Sequence, residues 1–175
     1  TLFSEAEIQT MATTEYQGFL SKNKVVSTTV SKDAEMVRRI GSRIAAAVTD
    51  YYTKKGLQGE LTGYKWEYNL VDSKEANAWC MPGGKVAFYT AILPICKDED
   101  GIAVVMGHEV AHAIANHGAE RMSQGMLAEF GLSTIGAAMG QNPTATQQIF
   151  MQAVGMGTNV GMLKFSRSHE SEADH

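Results

Sequence analysis

The chain has 175 residues, 44% of them hydrophobic, which suits one domain with a core of its own. Its formal net charge of −4 and the lack of any dense Lys/Arg stretch exclude the electrostatic footprint of a nucleic-acid binder or of a protein held on an anionic membrane surface. No run approaches the roughly 20 apolar residues of a membrane-spanning helix. The sequence opens at Thr1 without a basic-then-apolar leader, so any targeting segment is expected to have been removed or left out.

In chain order, residues 4–22 and 33–52 read as helices. In the second, Met36, Val37, Ile40, Ile44, Ala47, Val48 and Tyr51 recur at the three-to-four spacing of one apolar face, with Ser31 and Asp33 as candidate caps. Across 64–70 apolar and polar residues alternate, the period of a half-buried strand. A short segment at 76–80, the breaker Pro82-Gly83-Gly84 and the β-forming run 85–89 complete a small antiparallel sheet. Asp98, Glu99 and Asp100 suit the positive end of a helix dipole, and the apolar run from Ile102 to Met106 carries that helix into His108. It is expected to end at Asn116 or His117, with Gly118 as its stop.

Residues 121–164 are heavy in Met, Gly and Ala and read as two close-packed helices joined at Asn142-Pro143, a hairpin assigned to 122–164. Core packing is the expected role of its methionines, an adaptable binding or plug element the alternative. Cys80 and Cys96 permit either one disulfide across a short loop or two buried thiols.

The chemistry sits in His108-Glu109-Val110-Ala111-His112, an H-E-x-x-H sequence inside a helix. Residues four apart lie one turn along the axis and about 40° apart around it, so both imidazoles can meet a single ion. Glu109, offset by about 100°, can reach a water beside that ion without ligating it. A zinc ion with three protein ligands and one open position lowers the pKa of such a water to about 7, and a neighbouring carboxylate accepts its proton and later delivers it to the leaving amine. The competing explanation is a pair of surface histidines.

A third ligand decides the class. The longer H-E-x-x-H-x-x-G-x-x-H pattern is excluded, because Ala115 and Gly118 stand where it needs glycine and histidine. His117, nine residues from His108, falls on the opposite side of the helix and reads as a helix-terminal residue. The acidic candidates lie in His169-Glu170-Ser171-Glu172-Ala173-Asp174. On a helix Glu170 and Asp174 share a face, so one can ligate while the other hydrogen-bonds a ligating imidazole.

With these residues in view, the sequence resembles the HtpX, BepA and CAAX prenyl protease group of zinc endopeptidases, metallopeptidase family 48, which also includes the Oma-type mitochondrial proteases. The resemblance rests on His108-Glu-Val-Ala-His112 followed by Ala-Asn-His117-Gly-Ala-Glu-Arg121, on Glu170-Ser-Glu-Ala-Asp174 as E-x-x-A-D, and on the run from Asn77 through Pro82-Gly83-Gly84 to Thr90. It implies an α+β, mostly helical, zincin-like (gluzincin) fold with one Zn2+ per chain held by His108, His112 and Glu170. It also implies Glu109 as the general base and Asp174 as a hydrogen-bonding partner behind the ligands. Asn77, Ala78, Trp79, Cys80 and Met81 would form an edge strand beside the cleft, where an extended substrate adds through main-chain hydrogen bonds.

Members of that family continue past the position of Asp174, whereas this sequence reaches only His175. The expectation is therefore one metallopeptidase domain over 1–175, trimmed at its C-terminal end, with no oxyanion-stabilising group assigned and Arg167 and His169 nearest by. By resemblance the expected function is zinc-dependent cleavage of unfolded or misfolded protein in the bacterial cell envelope, periplasmic or lipid-anchored through an upstream signal. The alternative is a protein-binding or chaperone-like module that keeps its zinc behind a plugged cleft. A purely structural zinc is disfavoured, since such sites take four ligands rich in Cys and neither Cys80 nor Cys96 has that spacing.

Overall fold

The structure, a computed structural model, describes residues 2–131 and 140–155. Helix α1 (Glu5–Lys22) starts in a capping box: the Ser4 hydroxyl accepts from the Glu7 N–H, and the Glu7 carboxylate accepts from the Ser4 N–H. The short strand β1 (Val25–Val26), unsignalled by any alternation in the sequence, leads to α2 (Lys32–Lys54). Of the two candidate caps Ser31 does the capping, accepting from the Ala34 N–H, while Asp33 sits in the first turn.

Strands β2 (Glu67–Val71), β3 (Ala78–Met81) and β4 (Lys85–Tyr89) join β1 in a four-stranded sheet of order β1-β2-β4-β3. The expected antiparallel sheet is corrected here to a mixed one: β3 runs antiparallel to β4, but β2 runs parallel to it. The reason lies in the connection after β2, which carries the chain past the neighbouring place so that the hairpin inserts β4 between β2 and β3. Gly83 and Gly84, both at positive φ, make that hairpin turn in a region side-chain-bearing residues avoid.

All side chains of β3 and β4 are buried because helices cover both faces of the sheet. Trp79, Met81, Ala87 and Tyr89 pack with α1 residues Ile8, Ala12 and Tyr16, whereas Ala78, Cys80, Val86 and Phe88 pack with Val37 and Ile40 of α2. Alternate residues therefore serve two cores, as the period of a strand dictates. Tyr16 locks α1 to the sheet: its hydroxyl donates to the Val86 carbonyl at 2.6 Å and accepts from Asn69 Nδ2 at 2.8 Å.

The short α3 (Leu93–Cys96) leads into α4 (Glu99–Ala115), whose N-cap Asp98 accepts from the Gly101 N–H and whose first turn carries Glu99 and Asp100. Glu99 is also paired with Arg39 of α2. Gly118 does not stop this helix. Extended backbone at Asn116 ends it, and Gly118 opens α5 (Gly118–Phe130), where it lies against Ile8 and Val154. Helix α6 (Pro143–Ala153) begins at the expected Asn142-Pro143 and packs on α5. Met122 and Met126 are fully buried beneath them, in the core role expected of this stretch. The rest of the proposed 122–164 hairpin, 132–139 and 156–164, lies outside the described residues.

Candidate metal centre

Helix α4 packs on β3 and α2 through Ile102, Val105, Met106, Val110 and Ala113, all buried. His108 and His112 leave this face and are exposed, one turn apart. Glu109 points about 100° away from His108, over the buried sector, and is only partly accessible. Its carboxyl is pushed up to about 7 by burial. The Cys80 thiol of β3 is raised as well, first by its own burial and then by the charge of Glu109, which places Glu109 beside that strand. Burial, and secondarily the neighbouring His112, lower the pKa of His108, favouring the neutral imidazole that a metal ion requires.

Among the described residues β3 stands at one edge of the sheet, with Asn77 immediately before it. The Tyr89 N–H donates to the Asn77 carbonyl, and Trp79 and Met81 stand opposite Ala87 and Lys85. In that register Asn77, Trp79 and Met81 bond to β4, while the N–H and C=O groups of Ala78 and Cys80 point away from it, toward a side on which no strand pairs among the described residues. The Asn77 side chain covers part of that edge, its Oδ1 accepting from the Ala78 N–H at 2.9 Å. Cys80 and Cys96 are free, buried thiols rather than a disulfide.

Glu170 and Asp174, with Arg167 and His169, lie outside the described residues. Among the described residues no three His, Cys, Asp or Glu side chains converge as a metal cage, and His117 lines a separate cavity with Glu60, Tyr64 and Pro82. The donor set nevertheless suits a divalent ion: two imidazoles one turn apart on an exposed helix face, with a desolvated carboxyl between them and the strand edge. Sequence reasoning missed two neighbours of this helix. Asn116 Nδ2 donates to the Ala153 carbonyl at 2.8 Å, and a Cβ built on Gly155 would come within 2.7 Å of His112 Nε2. Only folding brings the end of α6 to the end of α4, and no local pattern announces it.

A model of peptidase family M48 matches residues 31–175. The chain belongs to this family. M48 members are metallopeptidases, and the relatives agree. The mitochondrial metalloendopeptidase OMA1 of Schizosaccharomyces pombe is 35% identical over 115 residues, 66% of this chain and 32% of that protein. Metalloprotease YcaL of Escherichia coli is 27% identical over 139 residues, 77% of this chain and 53% of that protein. The beta-barrel assembly-enhancing protease of Escherichia coli is 31% identical over 117 residues, 62% of this chain and 23% of that protein. The chain thus spans about a third of the fission-yeast relative's length. The expected location in the bacterial cell envelope is overturned: OMA1 proteins of yeasts, a plant and mammals, all mitochondrial, are among the matches, alongside the bacterial ones.

Proposed function

We propose that this M48 chain is a zinc-dependent endopeptidase in which His108, His112 and Glu170 hold one Zn2+ and Glu109 is the general base. The observation that carries the reading is the placement of Glu109, desolvated against β3 and next to two exposed imidazoles on the same helix. A zinc ion bound there supplies Lewis-acid polarisation of the scissile carbonyl and of the attacking water. The chain's own groups do the rest. The Ala78 carbonyl and the Cys80 main chain, on the side of β3 away from β4, offer hydrogen bonds that align an extended peptide with little dependence on its sequence. Glu109, with a carboxyl poised near neutrality, takes a proton from the water and returns it to the leaving nitrogen. Asp174 steadies a ligating imidazole through its second nitrogen. A strand-adding cleft of this kind selects substrates that expose extended backbone, hence unfolded or misfolded protein.

The second reading, a zinc-bearing but blocked binding module, draws on Gly155, seated against the ring of His112. Cleavage of unfolded casein by wild type and by Glu109→Gln, with zinc measured in both, separates the two. The peptidase reading expects equal zinc and a loss of about 100- to 10,000-fold in rate for the variant. Equal residual cleavage by both proteins rules out Glu109 as the base, and zinc-loaded, inert wild type supports the blocked module.

A further inference from the structure

The face of β3 turned away from α4 borders a cavity of about 370 Å³ between α1 and α6. Its floor is aromatic: the Phe19 ring lies 4.9 Å from Trp79, edge-on, and 6.0 Å from Tyr89, stacked. Its walls carry two carboxylates, Glu15 and Glu75, against one ammonium, Lys22. The Glu15 carboxylate accepts from Gln147 Nε2 at 2.6 Å, which fixes it between the two helices, and Glu75 Oε1 accepts from Asn77 Nδ2 at 3.4 Å.

The position of the cavity gives it meaning. Trp79 and Met81 face it, while Ala78 and Cys80 turn their side chains toward the α4 side. A peptide strand added to β3 presents side chains to the same two faces, and a residue opposite Trp79 shares its face. We propose that this cavity is a specificity subsite for a basic residue, accepting the arginine or lysine side chain of the substrate residue that lies opposite Trp79. The apolar stem rests on the rings, the cation stacks against them, and the carboxylates pair with its tip. A glutamate at the same position meets a surplus of negative charge. The assignment rests on the peptidase reading and deepens it by naming the substrate class.

The test uses peptides of one sequence in which a single residue, scanned along the chain, is Arg, Ala, Phe or Glu, with products identified by mass. At one position Arg is expected to exceed Glu by about tenfold or more in kcat/KM. The Glu15→Gln/Glu75→Gln double variant, checked for its melting temperature, is expected to bring that ratio close to one. Asp50→Asn, on the exposed face of α2 and paired with Lys54, is expected to keep it. A preference for Phe, a flat profile, or a ratio unchanged in the double variant overturns the subsite. Binding of fluorescently labelled Arg and Glu peptides to zinc-loaded Glu109→Gln gives a readout without turnover, and equal affinities overturn it too. Failure of the peptidase reading looks different: cleavage indifferent to Glu109→Gln, whatever the charge preference.

Discussion

Glu109 is costly to hold where it is. Below pH 4.5 it carries a proton in the folded and the unfolded chain alike. Between 4.5 and about 7 the unfolded chain releases that proton while the folded chain keeps it, so stability falls as pH rises through this window. For the metal-free protein the penalty reaches up to about 3 kcal/mol above pH 7. Urea unfolding of metal-free wild type and Glu109→Gln should show the variant's relative stability growing from pH 4.5 to pH 8. A constant difference contradicts the desolvated carboxyl. His108, with its lowered pKa, produces the opposite slope near its own titration, but it is present in both proteins and largely cancels. Such a penalty is the stability signature expected of a carboxyl in the general-base role proposed for Glu109.

Helix α4 holds its place through contacts as tight as its chemistry demands. A Cβ on Gly101 would stand 1.8 Å from the Cys96 carbonyl oxygen, so the end of α3 and the start of α4 meet only if this residue is glycine. Gly101→Ala is expected to lower unfolding stability by at least about 2 kcal/mol in denaturant titration. On the other face of the sheet Tyr16→Phe removes the hydroxyl that serves both Val86 and Asn69, with an expected loss of about 1 to 3 kcal/mol. At this scale much was legible beforehand. The helix dipole cluster at 98–100, the apolar period of α2 and the breaker before β4 are local signals, and the elements appear within a few residues of them. Strand direction was not legible, because β2 and β4 become parallel neighbours through a crossover that no alternation encodes. Gly118 misled for a related reason: glycine after a helix suggests a stop, but here the turn at Asn116 ends α4 and Gly118 begins α5, packed beside Ile8 and Val154 from distant parts of the chain.

For the whole molecule, the motif helix and the strand edge are placed by one sheet with a core on each side, and the H-E-x-x-H spacing could be read because it needs only a helix to bring its two histidines to one face. Among the described residues no helix is long and apolar enough to cross a bilayer. If His108 and His112 hold zinc as proposed, folding and metal binding are coupled. Zinc at a hundred times its dissociation constant is then expected to stabilise the folded chain by about 2.7 kcal/mol, a rise of roughly 5 to 10 °C in melting temperature. Chelation should reverse that rise in wild type and leave His108→Ala/His112→Ala unmoved.

The most direct measurement is anomalous scattering at the zinc edge from crystals of the protein grown with zinc. One peak is predicted about 2.0 to 2.1 Å from an imidazole nitrogen of both His108 and His112, with the Glu170 carboxylate as the third ligand. Crystals soaked in zinc that show no density between the two imidazoles, or Glu170 turned away from it, contradict the account.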